Sequence, residues 1–268
     1  ELGLDKREDD IDDRKITPYG DNIFYLSEKW QTSREDSYKI IKEGEPFSTL
    51  KRRSWFFHED MTEFSLREYA KVQDFPDDFK FVGTYEKIKD QIGNAVSPKM
   101  AKYVGQFLKG KTLGDIFAGC GGLSYGLGQL GIESKWAIER NVFYARTYKV
   151  NHPQALVYTK DIKIVDPTIL PKVDIIVGGP PCQGFSLSGT RFRDDKRNEL
   201  YKEFVRFVDA LKPMEFVLEN VPQIQEVETQ IKEDFEKVGY EVETMLIKGE
   251  EIGMRQHRNR FFFIGKIK

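Results

Sequence analysis

From Thr112 onward, short apolar runs alternate with amphipathic stretches. Thr112–Phe117, Lys135–Ile138, Val173–Val177, Phe216–Leu218 and Phe261–Ile264 are brief hydrophobic runs that read as strands. Between them, Leu123–Leu130, Leu200–Leu211 and Glu226–Val238 carry apolar residues at helical spacing. Strand and helix in alternation predict an α/β fold with a doubly wound, mostly parallel sheet. Upstream, Ser65–Val72 reads as a Ser-capped helix stopped by Phe75-Pro76-Asp77-Asp78-Phe79, and a second helix is expected from Pro98 to about Leu108. The short Lys109-Gly110-Lys111 link joins that helix to the first strand. Residues 1–45 have little apolar periodicity and open on an acidic-rich stretch, so an irregular start is expected.

Composition narrows the classes. With 268 residues, 39% of them hydrophobic and 32% charged, the chain suits one large globular domain with a smaller lobe. No apolar run approaches the roughly 18 residues of a membrane span, so a cytoplasmic protein is expected. It begins on Glu1 rather than Met, as a processed, tagged or truncated product would. Two cysteines, Cys120 and Cys182, and three histidines argue against a disulfide framework or a bound metal, so a cysteine that matters here matters as a thiol. The net charge of -2 argues against blanket nucleic-acid binding. That work falls to local groups: Lys51-Arg52-Arg53, Arg191 with Arg193, Lys196 and Arg197, or Arg255 with Arg258 and Arg260. Each taken singly also reads as solvated surface.

The candidate chemistry lies at strand ends. Gly114-Asp115-Ile116-Phe117-Ala118-Gly119-Cys120-Gly121-Gly122 joins a strand to a helix, and its glycines let a ligand approach the backbone. It lacks the Gly-Lys-Ser/Thr of a phosphate loop and the full dinucleotide spacing, so a nucleoside without a large phosphate group fits better; a tight structural turn is the alternative. Glu139, ending the next strand, is placed to accept from ribose hydroxyls, and Asp161, beyond the third strand, to accept from an adenine amino group. Val173–Val177 runs into Gly178-Gly179-Pro180-Pro181-Cys182, a rigid turn that fixes the direction of a thiol at the carboxyl edge of the sheet. The polar stretch 184–198 reads as a lid. Glu215–Leu218 ends in Glu219-Asn220-Val221-Pro222, which brings a carboxylate to the same edge. Before the last strand, Gln256, Arg258 and Arg260 alternate and are expected to point together.

Four of these segments, Asp115–Gly122, Pro180-Pro181-Cys182-Gln183, Glu219-Asn220-Val221 and Gln256-x-Arg258-x-Arg260, resemble in order the first, fourth, sixth and eighth blocks of the DNA (cytosine-5) methyltransferases, bacterial modification type. Phe64–Phe79 is similar to the ninth block, and Gln91-Ile92-Gly93-Asn94-Ala95-Val96-Ser97-Pro98 to the tenth. Family members usually carry those two at the C-terminal end; here they precede the first, a circularly permuted order.

The resemblance implies an S-adenosylmethionine-dependent methyltransferase fold, with residues 91–268 as catalytic domain and 1–90 as a small lobe holding part of a target-recognition region and the ninth-block segment. It implies that Cys182 adds to C6 of a flipped-out cytosine in double-stranded DNA, that protonated Glu219 supports N3, that Arg258 holds the base, and that Arg260 orients Glu219 or a phosphate. Phe117, Gly119, Gly121, Gly122, Glu139, Asp161, Ile162, Pro181, Leu200, Asn94 and Val96 are expected around the cofactor, and Gln183, Ser186 and Arg191 near the DNA. Because the family's recognition region usually lies between the eighth and ninth blocks, where this chain is cut open, recognition is expected to be small, truncated or supplied by a second chain. The implied setting is a restriction-modification system in a prokaryotic cytoplasm, at the nucleoid. The rivals are an RNA cytosine-5 methyltransferase, a catalytically idle DNA-binding or regulatory subunit, and a nicotinamide-dependent dehydrogenase, which would have no use for a Pro-Pro-Cys turn.

Overall fold

The computed structural model describes residues 38–40, 46–50, 55–58, 62–181 and 199–268. Cys182, Gln183, Ser186, Arg191, the lid expected over 184–198 and the Lys51-Arg52-Arg53 group lie outside the described residues.

Seven strands form the central sheet: β3 (Thr112–Ile116), β4 (Glu133–Ile138), β5 (Leu156–Tyr158), β6 (Ile175–Gly178), β7 (Glu215–Asn220), β8 (Tyr240–Lys248) and β9 (Asn259–Ile267). Their spatial order is β5-β4-β3-β6-β7-β9-β8. The first five in that order pair in parallel, whereas β9 runs antiparallel to both its neighbours. The chain winds outward from β3 through β4 to β5, then returns to place β6 and β7 on the other side of β3. The strand order therefore reverses between β3 and β6, the crevice where open α/β sheets hold ligands.

Both faces are covered, as expected of parallel strands that are apolar throughout. One face packs Trp136, Ile176 and Phe216 against Phe204 and Phe207 of α6 (Glu199–Leu211) and Phe235 of α7 (Glu228–Lys237). The other packs Leu113, Ile175 and Val217 against α3 (Pro98–Gly105) and α4 (Gly122–Gly128). These two helices touch almost backbone to backbone: a Cβ on Gly122 would sit 2.3 Å from the Val96 carbonyl, and one on Gly126 2.2 Å from that of Pro98. α5 (Val142–Asn151) links β4 to β5.

Upstream, β1 (Tyr38–Ile40) and β2 (Trp55–Phe57) pair in parallel, and α1 (Leu66–Val72) and α2 (Tyr85–Asn94) follow. Ser65 caps α1 with a reciprocal Ser65–Glu68 box, as its sequence predicts. An aromatic core of Phe56, Phe64, Tyr69, Phe75, Phe79 and Phe81, with Leu50, Ile88 and Ile92, unites residues 50–95 and takes in Cys120 from the glycine loop. The 90/91 division expected from sequence runs through α2. The backbone of Phe47 donates to Arg255 O (2.8 Å) and accepts from His257 N (2.7 Å), docking residues 46–50 on the approach to β9.

The Lys109–Lys111 link is anchored by two carboxylates at the opposite end of the sheet. Lys109 N and Gly110 N donate to Glu215 Oε2 (2.8 and 3.0 Å), while Lys111 N, Thr112 N and Thr112 Oγ1 donate to Asp174 Oδ2 (2.8, 3.0 and 3.0 Å). Glu215 is buried. Glu215→Ala orphans two backbone donors and should cost about 2 kcal/mol, lowering Tm by about 4–8 °C in a thermal melt, with Glu215→Gln intermediate. An unchanged melt would make the anchor incidental.

Candidate active site

Beyond β3 the chain turns through three left-handed residues, Phe117 (φ 58°), Gly119 (φ 56°) and Gly121 (φ 93°). Such a conformation suits glycine but is unfavourable for phenylalanine, so the fold holds Phe117 against its backbone preference. Nothing lies within 4 Å of a Cβ built on Gly119. Glu139, at the end of β4, reaches back to this loop: its Oε2 accepts from Gly119 N (2.9 Å) and its Oε1 from Asn141 N (2.7 Å). Burial raises its pKa against those bonds, which favour the charged form.

Under the loop, Asp115 is fully buried. Ser124 Oγ donates to its Oδ2 at 2.5 Å, Tyr148 OH donates to Ser124 Oγ at 2.8 Å, and Ser134 Oγ joins the chain at Tyr148 OH, also at 2.8 Å. Burial pushes the Asp115 carboxyl up to about 8, against the Ser124 bond. His152 packs beside Gly121, and burial pulls its pKa down to about 4, so it is neutral near pH 7.

Across the crevice, β6 leads into the Gly-Gly-Pro-Pro turn. A Cβ on Gly178 would lie 2.1 Å from Ile116 O, so only glycine fits there, and one on Gly179 would lie 2.8 Å from Glu219 Oε2 and press on that carboxylate. Asn220 Nδ2 donates to Pro180 O (3.1 Å), tying the turn to the end of β7. Glu219, beside it, accepts from Arg260 Nε at 2.8 Å; the two side chains are 11% and 14% exposed. Burial raises the Glu219 pKa, and the charges of Arg260 and Arg258 counter it.

Gln256, Arg258 and Arg260 alternate with exposed Arg255, His257 and Asn259, as the spacing predicts, but the side they share faces inward rather than lining one open surface. Only Arg260 meets Glu219. Gln256 is fully buried, donating to Val72 O (2.6 Å) and Gln73 Oε1 (2.8 Å) and accepting from Leu50 N (3.2 Å). Arg258 is also buried and donates to Leu50 O (3.0 Å) and Ala95 O (2.7 Å). The physical reason is that residues 46–50 dock over this segment, from about two hundred positions away in the chain. Arg255 alone of the expected basic trio is exposed.

A cleft opens between the glycine loop, the β6 turn and the end of α2 with the segment after it; its empty space, about 430 Å³, includes open solvent. Of the residues singled out by sequence, Asn94, Val96, Phe117, Gly119, Gly122 and Glu219 line it. Glu139 stands behind Gly119, and Gly121 faces Tyr148 and His152. Asp161, Ile162, Pro181 and Leu200 are not in the lining. Asp161 is exposed and caps a 3-10 turn by accepting from Lys163 N (3.0 Å), Ile162 and Leu200 pack in the core, and Pro181 is exposed. The cleft also takes in Gln91, Asp115 and Tyr144, to which sequence reading gave no role. Gln91 and Asp115 fall within segments that carry the family resemblance; Tyr144 has no local signal.

A family model for C-5 cytosine-specific DNA methylases matches residues 7–110 and 112–268. The chain is 45% identical over 163 residues to the Type II methyltransferase M.DdeI of Desulfomicrobium norvegicum, across 56% of this chain and 39% of that protein. It is 38% identical over 166 residues to M1.HphI of Haemophilus parahaemolyticus, across 57% and 45%. The chain therefore spans less than half the length of these two relatives. Among solved structures, a DNA modification methyltransferase encoded within an E. coli prophage aligns with a TM-score of 0.51 at 33% identity, covering 58% of this chain and 46% of that one. The Entamoeba histolytica methyltransferase EhMeth, at 21% identity and a TM-score of 0.50, covers 60% and 54% and shares the fold.

Proposed function

Because the chain belongs to the C-5 cytosine-specific DNA methylases, we propose that it transfers a methyl group from S-adenosylmethionine to C5 of a cytosine flipped out of double-stranded DNA, as the modification enzyme of a restriction-modification system in a prokaryotic cytoplasm. The observation that carries this reading is the buried Glu219–Arg260 pair set against the Gly-Gly-Pro-Pro turn, with Glu219 lining the cleft that the glycine loop also forms.

The residues fit the cofactor. The open backbone at Gly119 and the adjacent Glu139 carboxylate suit a nucleoside without phosphates. When bound, its sulfonium supplies the methyl group. Phe117, Gly119, Gly121, Gly122, Asn94 and Val96 would hold it, with Glu139 on the ribose; the family resemblance assigns Asp161, Ile162, Pro181 and Leu200 to the adenine side, although all four lie outside the cleft lining here.

Cytosine C5 is a weak nucleophile, so the ring must be activated. In this reading the Cys182 thiolate adds to C6 while Glu219, protonated, donates to N3. C5 then accepts the methyl group, a base removes the C5 proton, and the thiolate leaves. The raised pKa of Glu219 favours the protonated form needed at N3. Arg260 orients Glu219. Arg258, buried against Leu50 and Ala95, biases the Glu219 charge and ties the two halves of the site together rather than gripping the base. Gln183, Ser186 and Arg191 would face the DNA backbone. Residues 1 to about 60 would contribute to target recognition.

The block order further supports a circularly permuted enzyme. The two stretches that match the family model meet at Lys111, inside the anchored link, and the tenth-block segment packs tightly on the first-block helix. Nearby ends make such a rearrangement tolerable.

The test is to incubate the chain with methyl-labelled S-adenosylmethionine and, in parallel, double-stranded DNA or RNA, then digest each nucleic acid to nucleosides. Label in 5-methylcytosine supports the reading. Label entering RNA alone would move the protein to the RNA branch, and cofactor binding without transfer to either would favour an idle subunit.

A further inference from the structure

Asp161 stands on an exposed turn just beyond Tyr158, the end of β5. Tyr158 pairs with Ile138 on β4, and its carbonyl accepts from Glu139 N at 3.1 Å, so the turn begins beside the carboxylate assigned to the ribose. One carboxylate oxygen of Asp161 accepts from Lys163 N (3.0 Å); the other has no hydrogen bond among the described residues and is open to a ligand donor. Asp161 lies outside the cleft lining, so the cleft does not fix it. The turn itself, Ile162–Ile164, is a short 3-10 piece closed by Ile164 N to Asp161 O and Val165 N to Ile162 O, both at 3.2 Å. So short a piece holds its own shape weakly.

What fixes the turn lies behind it, on α6. Arg206 donates from Nη2 to Ile162 O (2.9 Å) and from Nη1 to Val165 O (3.1 Å). Its third donor, Nε, is held by Glu203 Oε2 at 2.7 Å, and its central carbon lies 4.7 Å from the centre of the Phe207 ring. Ile162 and Val165 are buried in the core that contains Phe204 and Phe207, which closes the same joint from the apolar side. A planar guanidinium can hold two acceptors at a set separation, whereas an ammonium acts as a point charge. We propose that Arg206 is a positioning residue for adenine recognition: its grip on two carbonyls sets the Asp161 turn so that the open carboxylate oxygen meets the amino group on C6 of the adenine. This rests on the cofactor reading above, with the ribose at Glu139 and the adenine toward Asp161.

The test measures, by isothermal titration on the full chain, S-adenosylmethionine and its analogue in which hydrogen replaces the amino group on C6. The analogue cannot donate to Asp161, so its affinity reports the rest of the site. The unmodified protein should prefer S-adenosylmethionine by about 10- to 100-fold, the range of a hydrogen bond to a charged group, and Asp161→Ala should remove that preference. Arg206→Met should reduce it to less than about 3-fold while leaving the analogue's affinity within about threefold. Placed on top of Asp161→Ala, it should change the preference no further, because the two residues act through one contact. Arg206→Lys keeps the charge without the fork and should behave like Arg206→Met; it carries the comparison should a thermal melt show Arg206→Met unfolded. The inference is overturned if Arg206→Met keeps the full preference, if it weakens both ligands equally, as a residue that only holds the fold would, or if Arg206→Lys keeps the full preference. Equal binding of both ligands by the unmodified protein removes the Asp161–adenine contact and this inference with it, while the cofactor reading stands. Binding of neither removes the cofactor reading itself.

Discussion

Cys182→Ala and Cys182→Ser are each expected to abolish methyl transfer, by about four orders of magnitude or more, while leaving S-adenosylmethionine affinity within about threefold. The reason lies in the substrate. A cytosine ring does not release its C5 electrons until a nucleophile has added at C6, the step this reading assigns to Cys182. Cys120, the second cysteine, is buried in the aromatic core and its pKa is pushed up to about 12 by burial, so it stays a thiol and cannot substitute. A serine hydroxyl at position 182 is far less ionised and leaves the ring unactivated. The separation of the two readouts is the diagnostic part. The cleft proposed for the cofactor is built from the glycine loop, the end of α2 and β7, none of which depends on a sulfur atom at position 182. A variant that kept measurable transfer would remove the covalent mechanism.

Glu219→Gln should slow transfer by about two to four orders of magnitude if the carboxyl acts as the acid at N3. The amide can still donate, but it cannot give up a proton and loses its charged link to Arg260. The pH dependence gives the second handle. Burial raises the Glu219 pKa above the usual carboxylate value although Arg260 and Arg258 pull it back. The active acid form is therefore favoured at low pH, and the rate limb governed by Glu219 falls as pH rises through that elevated pKa. In Glu219→Gln this limb should disappear from the profile of kcat against pH. A pH profile unchanged in shape, with a small loss of rate, would reduce Glu219 to a structural partner of Arg260.

The sheet was legible because its parallel strands are buried on both faces and therefore read as apolar runs. Ile175–Gly178 and Glu215–Asn220 fall within a residue or two of the runs that announced them. β8 escaped for the opposite reason. In Tyr240–Lys248 buried positions alternate with exposed glutamates at one edge of the sheet, a half-buried pattern easily passed over beside the helix before it. The glycine loop, the Gly-Gly-Pro-Pro turn and Glu219 were legible as chemistry because each departs from what a plain strand end requires. Glu219 shows this well: an acid at the end of a buried strand needs a partner, and Arg260 supplies it.

Contacts between distant segments were not legible. That Gln256 and Arg258 are buried follows from residues 46–50 docking over them, which no local period encodes. Gln91 was visible only as a letter in a motif; its place in the cleft wall exists only once α2 is folded there. The reverse holds for Asp161, whose place near an adenine ring follows from the family pattern, whereas its side chain here caps its own turn.

The most direct test of the central claim is to trap the covalent complex. The chain is incubated with S-adenosylmethionine and mixed-sequence double-stranded DNA containing 5-fluorocytosine, then resolved on a denaturing gel, and the shifted band is analysed by mass spectrometry. Fluorine at C5 cannot be removed as a proton, so the final elimination is blocked. A methylated adduct on the peptide bearing Cys182, absent from Cys182→Ala, is the expected result. Methyl transfer to ordinary DNA with no adduct on fluorinated DNA would contradict the covalent mechanism.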